Sequence, residues 1–206
     1  MEMVQIFSTW VGIAKIESLN IEEAISYAKK LEYLPKKPED NVGDTTVTQR
    51  FLNDPIFEKV KREIEDLTHE YVKLQGHIID DVKVTSSWGN LLKKGEPINV
   101  HNHPNSYVSG VFYLTDASPL NFHNPTNQED LFTFRPLSEW DANNPYTWQV
   151  LQIKPKPGYM FLFPSKLNHH VECNEDDFRY SVAFNTLPVV LRDRGLCNEL
   201  SVKTIK

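Results

Sequence analysis

Four of the seven histidines fall in two close pairs. His101 and His103 stand in Val100-His-Asn-His-Pro104, just ahead of a run with strong β patterning. Residues i and i+2 of an extended chain share a face, so both imidazoles can point the same way. His169 and His170 follow Phe163-Pro164-Ser165 with strand character on either side, and only one of the two can face inward. Neutral imidazole is a versatile metal ligand that suits Fe, Zn, Cu and Ni. Two histidines from one strand end and one from a distant strand would cap one face of an ion and leave positions open. Taken alone, each piece is weak, since His-x-His is more often a surface or hydrogen-bonded pair. Arg179 strengthens the case, ten positions after His169 in Arg-Tyr-Ser-Val-Ala-Phe-Asn. Alternation places Arg179, Ser181 and Asn185 on one face and Tyr180, Val182 and Phe184 on the other. An arginine pointing into a small β-barrel is costly without an anionic partner, and its planar fork suits a carboxylate. Without the histidines, an edge-strand arginine in solvent would be the simpler reading.

The elements that must position these groups lie in the second part of the chain. From Asp80 onward, short β-branched and aromatic runs alternate with Pro, Gly and Asn clusters, the pattern of an all-β sandwich or barrel. The candidate strands are Asp81–Ser87, Ile98–His101, Tyr107–Leu114, Asn121–His123, Leu131–Phe134, Gln149–Lys154, Tyr159–Phe163, His169–Glu172 and Arg179–Thr186. Eight or nine such strands in about a hundred residues suggest a jelly roll. Ahead of them the period is helical. Asn20 with Glu23 three residues on is a capping-box pattern, followed by Ile21, Ala24, Ile25, Ala28 and Leu31 at helical spacing. Asp54-Pro55 looks like an N-cap with proline in the first turn. Phe57, Val60, Ile64, Leu67, Tyr71 and Leu74 then form one stripe that stops at Gly76.

The expected organisation is one domain over residues 1–206, mainly β with flanking helices. A mostly helical support spans 1–79, a jelly-roll core 80–190, and a C-terminal extension 191–206. The stretch 124–148, with Trp140, Tyr146 and Trp148, is long for a hairpin in so compact a core and has the length of a lid or substrate-binding loop.

Composition narrows the function. With 22 Lys+Arg against 28 Asp+Glu, the chain carries a net charge of −6, which makes it a poor general binder of nucleic acid. No apolar run approaches the ~18 residues of a spanning helix. Glu2 and the absence of a cationic stretch argue against a secretory leader. Cys173 and Cys197 build no disulfide framework or metal-ligand spacing. A soluble intracellular protein is expected.

With those residues laid out, a family resemblance emerges. Trp88 to Leu114, then Phe163-Pro-Ser-Lys-Leu-Asn-His169, then Arg179-x-Ser181, resembles the 2-oxoglutarate and Fe(II)-dependent oxygenases. The small oxygenase family found in marine bacteria and their phages is the most similar, with a comparable His-x-His-Pro element, Ser-Gly-Val-x-Tyr-Leu (here Ser109 to Leu114), Phe-Pro-Ser-x-Leu-x-His and Arg-x-Ser-x-x-Phe-Asn. The likeness covers roughly Trp88 to Leu187 apart from the long loop. It implies a double-stranded β-helix and hydroxylation coupled to conversion of 2-oxoglutarate into succinate, in the cytoplasm of a bacterium or phage-infected host. It also implies Fe(II) as cofactor, with 2-oxoglutarate and O2 as cosubstrates. His101 takes the first iron-ligand position and His169 the distal one. Arg179 takes the place of the arginine that clamps the far (C5) carboxylate of 2-oxoglutarate, with Ser181 as its helper. Tyr113 resembles a tyrosine that bonds the same carboxylate in prolyl-hydroxylase-like members, and Asn90 is placed in the cosubstrate pocket.

One departure stands out. The usual triad is two histidines and a carboxylate, and here His103 occupies the carboxylate slot. His101, His103 and His169 are the favoured set; Asp116, Asn124 or a shifted His103-Pro-Asn105 motif are the alternatives. The rival from another class is a cupin-type three-histidine metalloprotein acting without 2-oxoglutarate. Gly95 lies six residues before His101 and Gly158 six before Pro164, as cupin motifs allow. Against it, Tyr107 and Val108 stand where the cupin glutamate is expected. A third possibility is a non-catalytic jelly-roll binding protein. The primary substrate, a peptide side chain or a small molecule, stays open, as does assembly into a homo-oligomer.

Overall fold

In the computed structural model, residues 8–34, 43–116, 118–125 and 149–189 are described. Strand β1 (Gly12–Lys15) leads into helix α1 (Ile21–Ala28), and strand β2 (Asp44–Thr45) follows. Helix α2 (Glu58–Leu74) then precedes strands β3 (Asp81–Lys93), β4 (Ile98–His101), β5 (Val108–Tyr113), β6 (Leu120–His123), β7 (Val150–Ile153), β8 (Tyr159–Pro164), β9 (His169–Val171) and β10 (Phe178–Val189). The caps expected from sequence are made. The Asn20 side chain accepts the Glu23 N–H, and Asp54 accepts the Ile56 N–H ahead of the short 3-10 turn that feeds α2. These bonds satisfy donors that the first turn of a helix leaves without partners.

The strands form two antiparallel sheets, a major one in the order β1-β8-β5-β10-β3-β2 and a minor one in the order β4-β9-β6-β7. This is the jelly-roll architecture expected from the strand pattern. Both faces of the major sheet are covered, which explains why β5 and β8 read as nearly continuous apolar runs. On one face Phe112, Met160, Leu162, Val182 and Phe184 pack against Ile64 and Val72 of α2. On the other, Val111, Phe161, Phe163 and Ala183 meet Leu120, Phe122 and Val171 of the minor sheet. Burying an aliphatic or aromatic side chain this fully stabilises the fold by about 1.5–3 kcal/mol. Gly110 has a steric reason: an added Cβ would lie 2.3 Å from Phe184 Cζ, the ring of its cross-strand partner.

The first third of the chain is less purely helical than its periodicity suggests. β1 pairs with the edge of β8 and β2 with the edge of β3. Strands of four and two residues carry too little alternation to register. β3 also runs six residues beyond the expected end at Ser87, through Gly89 and Asn90, which are poor strand formers. Its pairing with β10 over nearly its whole length, and the Gly89 N–H donated to the Thr46 hydroxyl, override that local preference. The expected strand Leu131–Phe134 and most of the 124–148 loop lie outside the described residues, as does the 191–206 extension. Among the described residues, no helix is long and apolar enough to cross a membrane.

Candidate metal centre and anion pocket

Between the sheets lies a cavity of about 420 Å³. Its two ends are chemically different.

At one end, three imidazoles converge. His101 closes β4 and stands directly across from His169 of β9, with a register irregularity just before it. His103 lies beyond the strand, in a turn that Asn105 carries through a left-handed backbone conformation (φ 61°), one that asparagine tolerates better than most residues. The turn is anchored by the His103 N–H donated to the Ser165 carbonyl at 2.9 Å. Asn102 also donates from Nδ2 to Asn168 Oδ1 at 2.8 Å, tying the two histidine-bearing segments together. Nδ1 of His101 is bonded to the Asn99 carbonyl and Nδ1 of His169 to the Leu167 carbonyl, each at 2.8 Å. Since a carbonyl only accepts, those nitrogens carry the protons and each Nε2 keeps a free lone pair. One ligand-type atom from each of the three histidines lies within 4.8 Å of the others, and Nε2 of His103 is 3.2 Å from Nε2 of His169. Two nitrogens bound to one ion at about 2.05 Å sit roughly 2.9 Å apart at a right angle and about 3.3 Å apart at the tetrahedral angle. The spacing therefore suits a shared cation.

Electrostatics favour the same use. Burial, reinforced by repulsion from His101, pushes His103 down to about 4, and burial with His101 beside it pushes His169 down to about 3. Both rings are therefore neutral, the form that binds metal, throughout the physiological range. Phe163, edge-on to His169 at 4.7 Å, and Phe122 behind it supply the apolar wall.

At the other end, Arg179 is 1% exposed. Among the described residues it has no carboxylate partner. Among them its Nε also makes no hydrogen bond, Nη1 donates to Ser181 Oγ at a long 3.3 Å, and the guanidinium lies 5.1 Å from the Tyr113 ring centroid. The Tyr113 hydroxyl is fully buried beside the guanidinium and makes no other hydrogen bond among the described residues. Strand register assembles this cluster: Ser181 of β10 pairs with Tyr113 of β5 on one side and Asn90 of β3 on the other. Burial lowers the Arg179 pKa and pushes Tyr113 up to about 12, so the phenol stays protonated and able to donate. A buried cation and a buried phenol with unused donors form a pocket shaped for an anion.

All seven residues singled out in the sequence thus line one cavity: His101, His103 and His169 at one end, Arg179, Ser181, Tyr113 and Asn90 at the other. Of the alternatives to His103, neither Asp116 nor Asn124 lines it. His170 points to the opposite side of β9. Sequence inspection missed Trp88, whose ring lies 5.6 Å from that of His103. Its place two residues before Asn90 on β3 is the alternation signal that could have found it. The anchoring pair Asn102 and Asn168 had no such signal.

Comparison with known proteins agrees with this architecture. Residues 86–185 match a family model described as "Putative 2OG-Fe(II) oxygenase". The chain therefore shows in its jelly-roll core the family likeness read from its motifs. Among solved structures, a 2OG-Fe(II) oxygenase family oxidoreductase from Burkholderia pseudomallei is 15% identical, with a TM-score of 0.57 over 85% of this chain and 83% of that one. A prolyl-4-hydroxylase from Pseudomonas putida is 13% identical, with a TM-score of 0.53 over 86% of this chain and 93% of that one. HygX from Streptomyces hygroscopicus, solved with nickel, 2-oxoglutarate and hygromycin B bound, is 13% identical, with a TM-score of 0.60 over 87% and 83%. At these identities the likeness establishes the fold. No curated protein matches the sequence.

Proposed function

We propose that the protein is an Fe(II)- and 2-oxoglutarate-dependent oxygenase that hydroxylates a peptide side chain or a small molecule. The observation that carries this is the buried Arg179 guanidinium, without a carboxylate partner among the described residues, facing the same cavity as three converging imidazole nitrogens. His101, His103 and His169 hold the iron. Arg179, Ser181 and Tyr113 hold the far carboxylate of 2-oxoglutarate, and Asn90 lines the pocket beside them. Bound iron with 2-oxoglutarate supplies the oxidising chemistry, in which O2 is reduced, 2-oxoglutarate leaves as succinate and CO2, and one oxygen atom goes to the substrate. The protein contributes position and dryness. His103 and His169, neutral down to about pH 4 and 3, present lone pairs without first losing a proton. Phe122 and Phe163 keep water from one wall of the site.

His103 in place of a carboxylate leaves the three ligands uncharged, so the metal's positive charge is offset less than in a two-histidine, one-carboxylate site. The likeness to a prolyl hydroxylase and to HygX supports both substrate classes named above. A cupin-type enzyme working without 2-oxoglutarate would leave the guanidinium with no anion to bind. The test is succinate release and O2 uptake by anaerobically reconstituted protein. Slow turnover that requires both Fe(II) and 2-oxoglutarate is expected even without the primary substrate. Metal binding with no response to 2-oxoglutarate would leave the cupin-type alternative standing.

A further inference from the structure

The minor sheet carries a second pair of imidazoles on its other face. Along β6, Leu120 and Phe122 point into the core, which turns Asn121 and His123 outward. On β9 the inward residues are His169 and Val171, which turns His170 the same way. Asn121 stands directly opposite His170 in the strand register, and directly opposed residues share a face with Cβ atoms about 5 Å apart. Nε2 of His123 lies 2.9 Å from Nδ1 of His170, with ring centroids 4.9 Å apart and planes inclined at 51°. Asn121 is 1% exposed, yet among the described residues its Oδ1 has no hydrogen-bond partner and its Nδ2 makes only a long 3.4 Å contact with the Pro119 carbonyl.

We propose that His123 and His170, with the Asn121 carbonyl oxygen as a further donor, form a second transition-metal site behind the one described above. Two nitrogens at 2.9 Å match ligands held at a right angle about 2.05 Å from one ion. Two imidazoles and an amide oxygen select a borderline ion such as Zn2+, Ni2+ or Cu2+ over Ca2+ or Mg2+, which take oxygen ligands. Water completes the coordination. Such an ion would staple β6 to β9, and β9 delivers His169 from its other face. The His123 N–H already donates to the Asn168 carbonyl, one residue before His169. The second ion would therefore brace the strand that fixes the inner cluster, without taking part in the reaction. The competing account of the 2.9 Å contact is a simple N–H to N hydrogen bond between the two rings, which binds no metal.

The experiment is a zinc count. Untagged, chelator-stripped full-length protein is dialysed against a small excess of Zn2+, and bound zinc per chain is measured by mass spectrometry. Two ions are expected for the wild type, one for His123→Ala and one for His169→Ala. His123→Phe, which keeps a ring in place, guards against loss of packing and should also hold one. A wild type that holds one ion, lost in His169→Ala but kept in His123→Phe, overturns the inference, as does an equal count in wild type and both His123 variants. A single ion lost in the His123 variants but kept in His169→Ala upholds the inference and removes the inner cluster from metal binding instead. No bound zinc in the wild type overturns both.

Discussion

Replacing Arg179 with methionine should have two opposite effects, and both follow from the same observation. The guanidinium is buried beside Tyr113 and Ser181 with an unused Nε and no carboxylate among the described residues. In the protein without cosubstrate it is a desolvated charge without an ionic partner. Exchanging buried ionic groups for apolar residues of similar volume is often neutral or stabilising by about 1–4 kcal/mol. For a chain of this length, 1 kcal/mol moves the melting temperature by about 2–4 °C, so Arg179→Met should melt several degrees above the wild type. The binding effect runs the other way. Truncating one partner of a buried charge pair costs about 2–5 kcal/mol, and 1.4 kcal/mol is tenfold, so affinity for 2-oxoglutarate should fall by thirtyfold to a few thousandfold. At a ligand concentration a hundred times its Kd, binding stabilises the folded state by about 2.7 kcal/mol. That is about 5–10 °C for the wild type and close to nothing for the variant. Thermal melts of both proteins with Mn2+ in place of iron, with and without 2-oxoglutarate, read all four values. A variant that melts lower than the wild type, beside a wild type that ignores 2-oxoglutarate, would mean that Arg179 serves packing alone, and the oxygenase assignment would lose its main support.

His103→Asp and His103→Ala separate ligand from bystander. The alanine variant should bind Co2+ at least tenfold more weakly, and the aspartate variant should recover much of the loss by restoring a donor; equal affinities in wild type and His103→Ala would remove His103 from the set. Acid stability should depend on Glu63. Burial pushes its carboxyl up, but the Ser18 hydroxyl, the N–H groups of Glu17 at 2.7 Å and Ser18 at 2.9 Å, and the nearby Lys15 charge together outweigh burial and hold it below its ordinary value of 4.5. A carboxyl lowered in the folded state stabilises the protein above that ordinary value and loses the contribution as pH falls through the lowered one. Urea unfolding should therefore find Glu63→Gln weaker than wild type at pH 7, with the gap closing as pH falls below the carboxyl's ordinary value of 4.5; a gap unchanged with pH would show that the charge is not involved. Gly110→Ala forces a methyl group against the Phe184 ring, 2.3 Å away before any shift. Overpacking of this kind costs about 1–3 kcal/mol, and an unchanged urea midpoint would mean that the ring moves freely.

Much of this arrangement is legible in the sequence because a strand pattern carries directional information. Period-2 alternation along β10 places Arg179 and Ser181 on one face and Tyr180, Val182 and Phe184 on the other, and the structure buries the two sets in different layers. The same rule on β5 turns Tyr113 toward the cavity and Phe112 toward the helices. Where a partner is set by a distant segment, the rule is silent. β1 and β2 exist through edge pairing with β8 and β3, and Gly89 and Asn90 stay extended because β10 lies beside them. His103 is the instructive case. Two-residue spacing brings it beside His101 in expectation, yet β4 ends at His101, and His103 arrives through a turn. Its place is set by Asn105 in a left-handed conformation and by the backbone bond to Ser165. Alternation therefore selects which side chains face the cavity, while contacts remote in sequence set how far apart they stand. For a metal centre the second is the more demanding, because donor distances are tolerated only within about 0.2 Å. The segments that tie Asn102 to Asn168 and His103 to Ser165 are for that reason as much a part of the proposed centre as the imidazoles.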